Sequence, residues 1–291
     1  MALTAMHSRH RPRLALVLGS GGVRSIAALG VSEVLMREGI RPDLVVGCSA
    51  GAIFGATISM GHDTKYSLHL ATQLWTAEIT RQHRWAALPR MLWPSLGRFD
   101  ADFSLRDDRL IMNRLNAAFS DVHLEDMQTP LRVTATDAAT GQTVVIRRGP
   151  AVDAIRASIA MPFMFTPRII EEQRLIDGFV SDPLPVSAAL DAHTVVALGF
   201  DAPMPRSINR PTRLLAQTTS AMTNNLMHAR LANAELQGMS LLRIFPQLNK
   251  RIGIFETDAM PYLVQEGRLA AERQLPDLIT LLEGQPRLRI A

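Results

Sequence analysis

The sequence predicts an α/β fold, one compact domain on a mostly parallel, doubly wound sheet that ends in a helical C-terminal portion. Two observations carry the prediction. The apolar run Leu14–Leu18 ends in Gly19-Ser20-Gly21-Gly22 and passes into helical periodicity. A second run at 43–46 ends in Gly47-Cys48-Ser49-Ala50-Gly51 and passes into a small-residue helix that reaches about Met60. Strand–turn–helix twice in succession calls for parallel strands joined by crossover helices. Short continuous apolar runs fit strands buried on both faces.

The elements follow in order. Residues 24–37 read as a helix whose buried side is Ile26, Leu29, Val31, Val34 and Leu35. Residues 131–135 and Thr143–Ile146 alternate like strands around the turn Ala139-Thr140-Gly141, so a hairpin is expected there. Ala151–Ser158 is helical and stopped by Pro162; residues 174–176 lead as a strand into Asp177-Gly178. Thr194–Leu198 is another core strand, 211–238 is helical, 241–245 is a last strand, and 258–282 is helical again. The organisation expected is a catalytic core over 13–200, with a cap segment at 62–120, and a mainly helical portion over 201–291 packed on it.

Composition narrows the class. With 47% apolar and 20% charged residues the chain is an ordinary globular protein and not a disordered one. The single cysteine, Cys48, excludes an intrachain disulfide framework and a multi-cysteine metal site. The basic N-terminus has no secretory apolar region, and no apolar stretch reaches membrane-spanning length without charge or proline. A cytoplasmic protein is expected, with peripheral contact at the inner membrane surface. The net charge of +4 is too modest to identify a partner unless it is concentrated in one place.

Gly47-Cys48-Ser49-Ala50-Gly51 is a G-x-S-x-G between a strand and a helix. In that setting the serine occupies a tight turn at the carboxyl edge of the sheet, flanked by glycines that relieve crowding. The helix that follows aims its first amides at a developing oxyanion. Small-residue turns also produce the pattern by chance. The loop Gly19-Ser20-Gly21-Gly22-Val23-Arg24 has two readings. As a phosphate cradle it fails the dinucleotide fingerprint, because Arg24 stands at the last glycine position, and it lacks the G-K-[ST] of a P-loop. As an oxyanion hole it offers the amides of Gly21 and Gly22 beside the strand that carries Ser49, and this reading is preferred.

The serine needs a base. Of eight histidines only His193 and His228 follow Asp177, one at a strand entry and one mid-helix, and neither is framed by turn residues. Asp177 leaves an apolar strand into Gly178, where desolvation would raise its pKa and strengthen it as a base. An ordinary Asp-Gly turn has the same sequence. Both Ser49 and Asp177 are expected at a surface-accessible turn, where substitution leaves the thermal melt nearly unchanged.

Taken in order, Gly19-Ser20-Gly21-Gly22-Val23-Arg24, Gly47-Cys48-Ser49-Ala50-Gly51, Ala157-Ser158-Ile159-Ala160-Met161-Pro162 and Asp177-Gly178 resemble the patatin-like phospholipase family over roughly residues 13–200. The resemblance implies a three-layer α/β/α fold and a serine hydrolase acting on acyl esters of phospholipids or lysophospholipids without a catalytic histidine. It implies Ser49 as nucleophile, Asp177 as base and Gly21 and Gly22 as oxyanion donors, with Arg24, Gly47, Gly51 and Gly178 in support. It implies no cofactor and no metal, and no zinc or calcium ligand spacing is present. Two positions depart from the family pattern. Ser25 stands where a glycine usually follows the basic residue. Phe179 replaces a small residue after Asp177-Gly178, which implies a narrower pocket beside the base.

Two other functions compete: an acyltransferase or thioesterase acting on acyl thioesters, which would pair its serine with a histidine, and a catalytically silent lipid-binding protein. The three tryptophans, Trp75, Trp85 and Trp93, lie close together among Arg81, Arg84, Arg90 and Arg98. This mixture suits a bilayer interface, and 81–99 is expected to be a cap that docks on anionic lipid through Trp85 and Trp93. The same tryptophans could equally pack a helical subdomain onto the core. Nucleic acid is not expected as a partner, for no nucleic-acid fold is recognisable.

Overall fold

The computed structural model describes residues 12–76, 78 and 102–283. Its centre is one eight-stranded sheet made of β1 (Leu14–Leu18), β2 (Leu44–Cys48), β3 (Leu131–Asp137), β4 (Thr143–Ile146), β5 (Arg168–Ile170), β6 (Gln173–Asp177), β7 (Thr194–Leu198) and β8 (Ser240–Ile244). The order is β5-β6-β3-β2-β1-β7-β8, with β4 also paired to β3. The run β3-β2-β1-β7-β8 is parallel, whereas β4 and β6 pair antiparallel with β3 and β5 antiparallel with β6. The hairpin read at 131–146 is present as β3 and β4.

The period of two along each strand divides the core into layers. Leu14, Leu16 and Leu18 of β1 join one cluster, while Ala15 and Val17 join another on the opposite face. The first layer holds α1 (Ala27–Arg37), α2 (Ala50–Ser59), α3 (Thr64–Leu74), α4 (Arg109–Phe119), α5 (Ala151–Ser158) and α7 (Met260–Glu283). The second is thinner: α6 (Pro211–Leu236) supplies Met227, Leu231 and Ala234, and a 3-10 turn at Val186–Ala189 completes it. The result is a three-layer α/β/α architecture.

The last helix is packed intimately on the first. A Cβ on Gly30 of α1 would lie 2.0 Å from the Val264 carbonyl oxygen, and one on Gly267 of α7 would lie 2.1 Å from that of Ala27. Each helix thus presents a glycine where the other's backbone passes. Trp75 also belongs to the core: it is 7% exposed, stacks on Phe255 and donates from Nε1 to the Ile254 carbonyl. Of segment 62–120, α3 and α4 bury Ala71, Leu74, Ile111, Leu115 and Phe119 in the first layer. Residues 81–99, with Trp85 and Trp93, lie outside the described residues. Among the described residues no helix is long and apolar enough to cross a membrane.

Several elements differ from the sequence reading, among them the helices at Thr64–Leu74 and Arg109–Phe119, which it did not contain. The start of the first helix is a 3-10 turn, Gly22–Ile26, because Arg24 and Ser25 turn inward to hold loop carbonyls. Strand β2 continues to Cys48, kept in register by Thr134 of β3. Strand β5 is three residues long, too short for any periodicity to reveal.

Candidate active site

The parallel register builds the site at one edge of the sheet. Leu18 pairs with Gly47 on one side and with Leu198 on the other, so β1, β2 and β7 end together. Beyond β2 the chain turns sharply at Ser49, whose φ is 55° and ψ −127°. A non-glycine residue in that region carries about 1–3 kcal/mol of strain, so its surroundings must hold it there. Gly47 and Gly51 leave the room it needs. A Cβ at Gly47 would sit 2.5 Å from Ala52 Cα, and one at Gly51 2.5 Å from the Leu18 carbonyl oxygen. The Ser49 amide donates to Ser158 Oγ at 2.8 Å, and Ser158 Oγ donates to the Thr134 carbonyl at 2.6 Å. A single hydroxyl from the last turn of α5 thus ties the strained turn to β3.

Strand β3 also places Asp177. Its residues 133–136 pair with β4 on one flank. Strands β2 and β6 share the other flank, β2 opposite 131–134 and β6 opposite 135–137. Cys48 faces Thr134 and Asp177 faces Ala135, so the ends of two strands from distant parts of the chain meet one step apart. There Ser49 Oγ donates to Asp177 Oδ2 at 2.8 Å. Asp177 Oδ1 accepts the Phe179 amide at 3.0 Å, and its carbonyl accepts Thr136 Oγ1 at 2.9 Å. Gly178 fits because its α-carbon faces the Thr134 carbonyl, 2.5 Å from where a Cβ would be.

Burial changes the electrostatics of this pair. Asp177 is 1% exposed and Ser49 6%, which corrects the expectation of a surface-accessible turn. The sequence showed a turn at a strand end but could not show α5 and the 178–182 segment closing over it. Desolvation pushes the Asp177 carboxyl up to about 7, against the opposing hydrogen bonds from Phe179 and Ser49. Asp182 is fully buried and pushed up by desolvation to about 6, with Oδ2 accepting Ser187 Oγ at 2.8 Å.

The 19–22 loop leaves the end of β1 beside this pair. The amides of Gly19, Ser20 and Val23 donate to the carbonyls of Leu198, Pro183 and Ile254. Those of Gly21 and Gly22 have no acceptor among the described residues. Gly22 has φ +60°, and a Cβ there would fall 2.5 Å from Ile254, so only glycine serves. Arg24 braces the loop: Nε donates to the Gly21 carbonyl and Nη1 to that of Asp201, with the guanidinium carbon 5.6 Å from the Phe200 ring centroid. Burial lowers the Arg24 pKa. Ser25, where the family pattern has glycine, donates Oγ to the Gly19 carbonyl at 3.0 Å and so acts as a second brace.

The structure therefore brings Ser49 and Asp177 into contact, with Gly47, Gly51 and Gly178 packed around them, and braces the 21–24 loop at the same edge. Trp85 and Trp93 lie outside the described residues. Neither late histidine bonds to Ser49: the ring of His228 meets Asp201 Oδ1 at 2.8 Å, and the amide of His193 meets the Pro12 carbonyl. The side chain of Phe179 is half-buried, and its backbone amide supplies the contact to Asp177. Ser158 escaped the sequence reading as a site residue. The available signal was a serine ending an otherwise apolar helix, within a motif already noted.

Residues 16–190 match the model of a family described as patatin-like phospholipase. An NTE family protein of Mycobacterium tuberculosis (strain ATCC 25618 / H37Rv) is 32% identical over 192 residues, covering 65% of this chain and 49% of its own length. The protein named Lysophospholipase NTE1 from Mycosarcoma maydis is 29% identical over 192 residues, 64% of this chain and 9% of that much longer protein. The crystal structure of VipD from Legionella pneumophila aligns over 94% of this chain and 67% of its own, at 12% identity and a TM-score of 0.45. The chain spans about half the length of the mycobacterial relatives it matches. With well over half of its residues inside the matched family model, the chain belongs to the patatin-like phospholipase family.

Proposed function

We propose that the chain hydrolyses acyl esters of phospholipids or lysophospholipids, with Ser49 as nucleophile and Asp177 as base. The observation that carries this reading is the 2.8 Å hydrogen bond from Ser49 Oγ to a carboxylate raised to about 7. An ordinary aspartate is too weak a base near neutral pH; one held near 7 matches the working pH of a general base. Asp177 takes the Oγ proton as Oγ bonds to the ester carbonyl carbon. The carbonyl oxygen becomes an oxyanion, held by the Gly21 and Gly22 amides. Collapse breaks the ester C–O bond, and the leaving alkoxide takes the proton from Asp177. Water, deprotonated by Asp177, then releases the fatty acid from Ser49. Each oxyanion donor is worth about 10²–10³ in rate.

Membership of a phospholipase family and a relative named as a lysophospholipase support a lipid ester as substrate. The carboxylate partner of Ser49 favours hydrolysis over the histidine-dependent acyl transfer weighed above. The experiment uses a fluorophosphonate probe and a soluble p-nitrophenyl ester. The intact chain is labelled on Ser49 and turns over; Ser49→Ala loses both properties, and Asp177→Asn loses turnover by about 10³ or more. An unlabelled, inactive chain would instead be a silent lipid-binding protein. Retained turnover in Asp177→Asn together with loss in His228→Ala would replace the dyad by a histidine mechanism.

A further inference from the structure

Strands β7 and β8 are parallel, so α6, which joins them, must start at the edge where β7 ends. That edge also carries the 19–22 loop and Ser49, since Leu18 pairs with both Leu198 and Gly47. The chain leaving β7 is pinned there by Arg24, which holds the Asp201 carbonyl, and by Arg251, whose Nη2 donates to the Met204 carbonyl at 2.6 Å. Beyond these anchors every residue from 206 to 216 is exposed. The first turns of α6 therefore overhang the core.

What overhangs is apolar and basic. Met204 is 39% exposed, Ile208 49%, Leu214 53%, and Leu215 and Met222 are each 68% exposed. Leu215 and Met222 are two helical turns apart and share a face. Residues 202–234 contain Arg206, Arg210, Arg213 and Arg230 and no aspartate or glutamate. Lys250 and Arg251 add charge from the neighbouring loop. The acid just before this stretch, Asp201, is paired with His228. The overhang at 203–222 thus carries Arg206, Arg210 and Arg213 with no acidic residue among them.

We propose that the overhang formed by residues 203–222 is the surface by which this chain docks on an anionic lipid bilayer. The aliphatic side chains enter the acyl boundary while the arginines meet headgroup phosphates. Exposed leucines gain by leaving water, and each cation is attracted to an anionic surface. The partner is a bilayer because charge and apolar surface coincide on the edge through which lipid must reach Ser49. This step rests on the lipid-hydrolase reading above. It differs from the Trp85 and Trp93 cap, which lies in another part of the chain.

The test separates docking from catalysis. The Ser49→Ala chain is co-sedimented with vesicles of phosphatidylcholine alone and of phosphatidylcholine mixed with phosphatidylglycerol. Binding is expected only to the anionic vesicles. It should fall roughly tenfold or more when Arg210 and Arg213 become glutamate, and by a similar factor when Leu214 and Leu215 become serine. In the Ser49 background both double variants should hydrolyse a p-nitrophenyl ester at the parent rate. Failure of the parent to turn over that ester would count against the hydrolase reading and leave the sedimentation result standing. Undiminished vesicle binding by both variants overturns the docking surface, as does absence of anionic binding by the parent. So does light scattering that shows a parent dimer reduced to a monomer by the leucine substitutions, since the occupant would then be a second copy of this chain.

Discussion

The serine turn and the start of α6 leave the same edge of the same sheet and are built in opposite ways. At the turn nearly every polar group has a partner within the fold: the Ser49 amide on Ser158, its hydroxyl on Asp177, and Asp177 on Phe179. Its side chains are buried and its backbone is strained. The overhang has ordinary helical backbone from Pro211 onward, exposed leucines, and arginines without acidic neighbours in the sequence. The first region needs rigidity, because a strained, desolvated pair persists only where the surroundings over-determine it. The second leaves its apolar side chains exposed, which is what a surface meant for something outside the molecule requires.

The largest effect that distinguishes the two regions is that of pH. Because Asp177 must be ionised to act as base, kcat/KM on a soluble ester should fall about tenfold per pH unit below about 7. Stability should run the other way. The folded pKa values of Asp177 and Asp182, about 7 and about 6, lie above the ordinary value of 3.8. Their contribution is therefore fully present below about pH 4 and lost as pH rises through 6 to 7. Thermal melts between pH 5 and 8 should show this decline superposed on other titrations, and Asp177→Asn should reduce it. A flat rate profile across pH 5 to 8 would contradict a base of this kind.

A middling effect is expected at Ser158. Ser158→Ala strands the buried Ser49 amide and the Thr134 carbonyl, at about 1–3 kcal/mol for each unsatisfied group. If Ser158 positions the nucleophile, kcat on a soluble ester should fall while KM stays near the parent value, and Ser158→Thr should restore part of the loss. Equal activity in Ser158→Ala would make the hydroxyl structural only.

The smallest effect belongs to the overhang. Replacing Leu214 and Leu215 with serine should move unfolding stability by no more than about 0.5 kcal/mol per site, since both side chains are already in water. A denaturant titration checks this. A loss of several kcal/mol would mean that the helix start is packed against something and is not an exposed overhang.

Local pattern was enough to read most of the elements. Leu14–Leu18, Thr143–Ile146, Ala151–Ser158 and Thr194–Leu198 stand where periodicity and glycine turns put them, and Ser49 stands at a strand-to-helix turn. These are legible because helix and strand periods and glycine geometry are properties of a few neighbouring residues. The meeting of Ser49 with Asp177 was not of that kind. It depends on β4 occupying one flank of β3, so that β6 must continue on the other where β2 stops. Nor could sequence assign Ser158 to the Ser49 amide, 109 positions away, or show that the Asp177 turn is buried. The sequence marked 211–238 as helical but did not show which of its leucines are buried: Leu231 is in the core, whereas Leu214 and Leu215 are exposed. Only the tertiary structure decided that α6 starts beyond the sheet, because burial is settled by which neighbours a long helix reaches and not by its own residues.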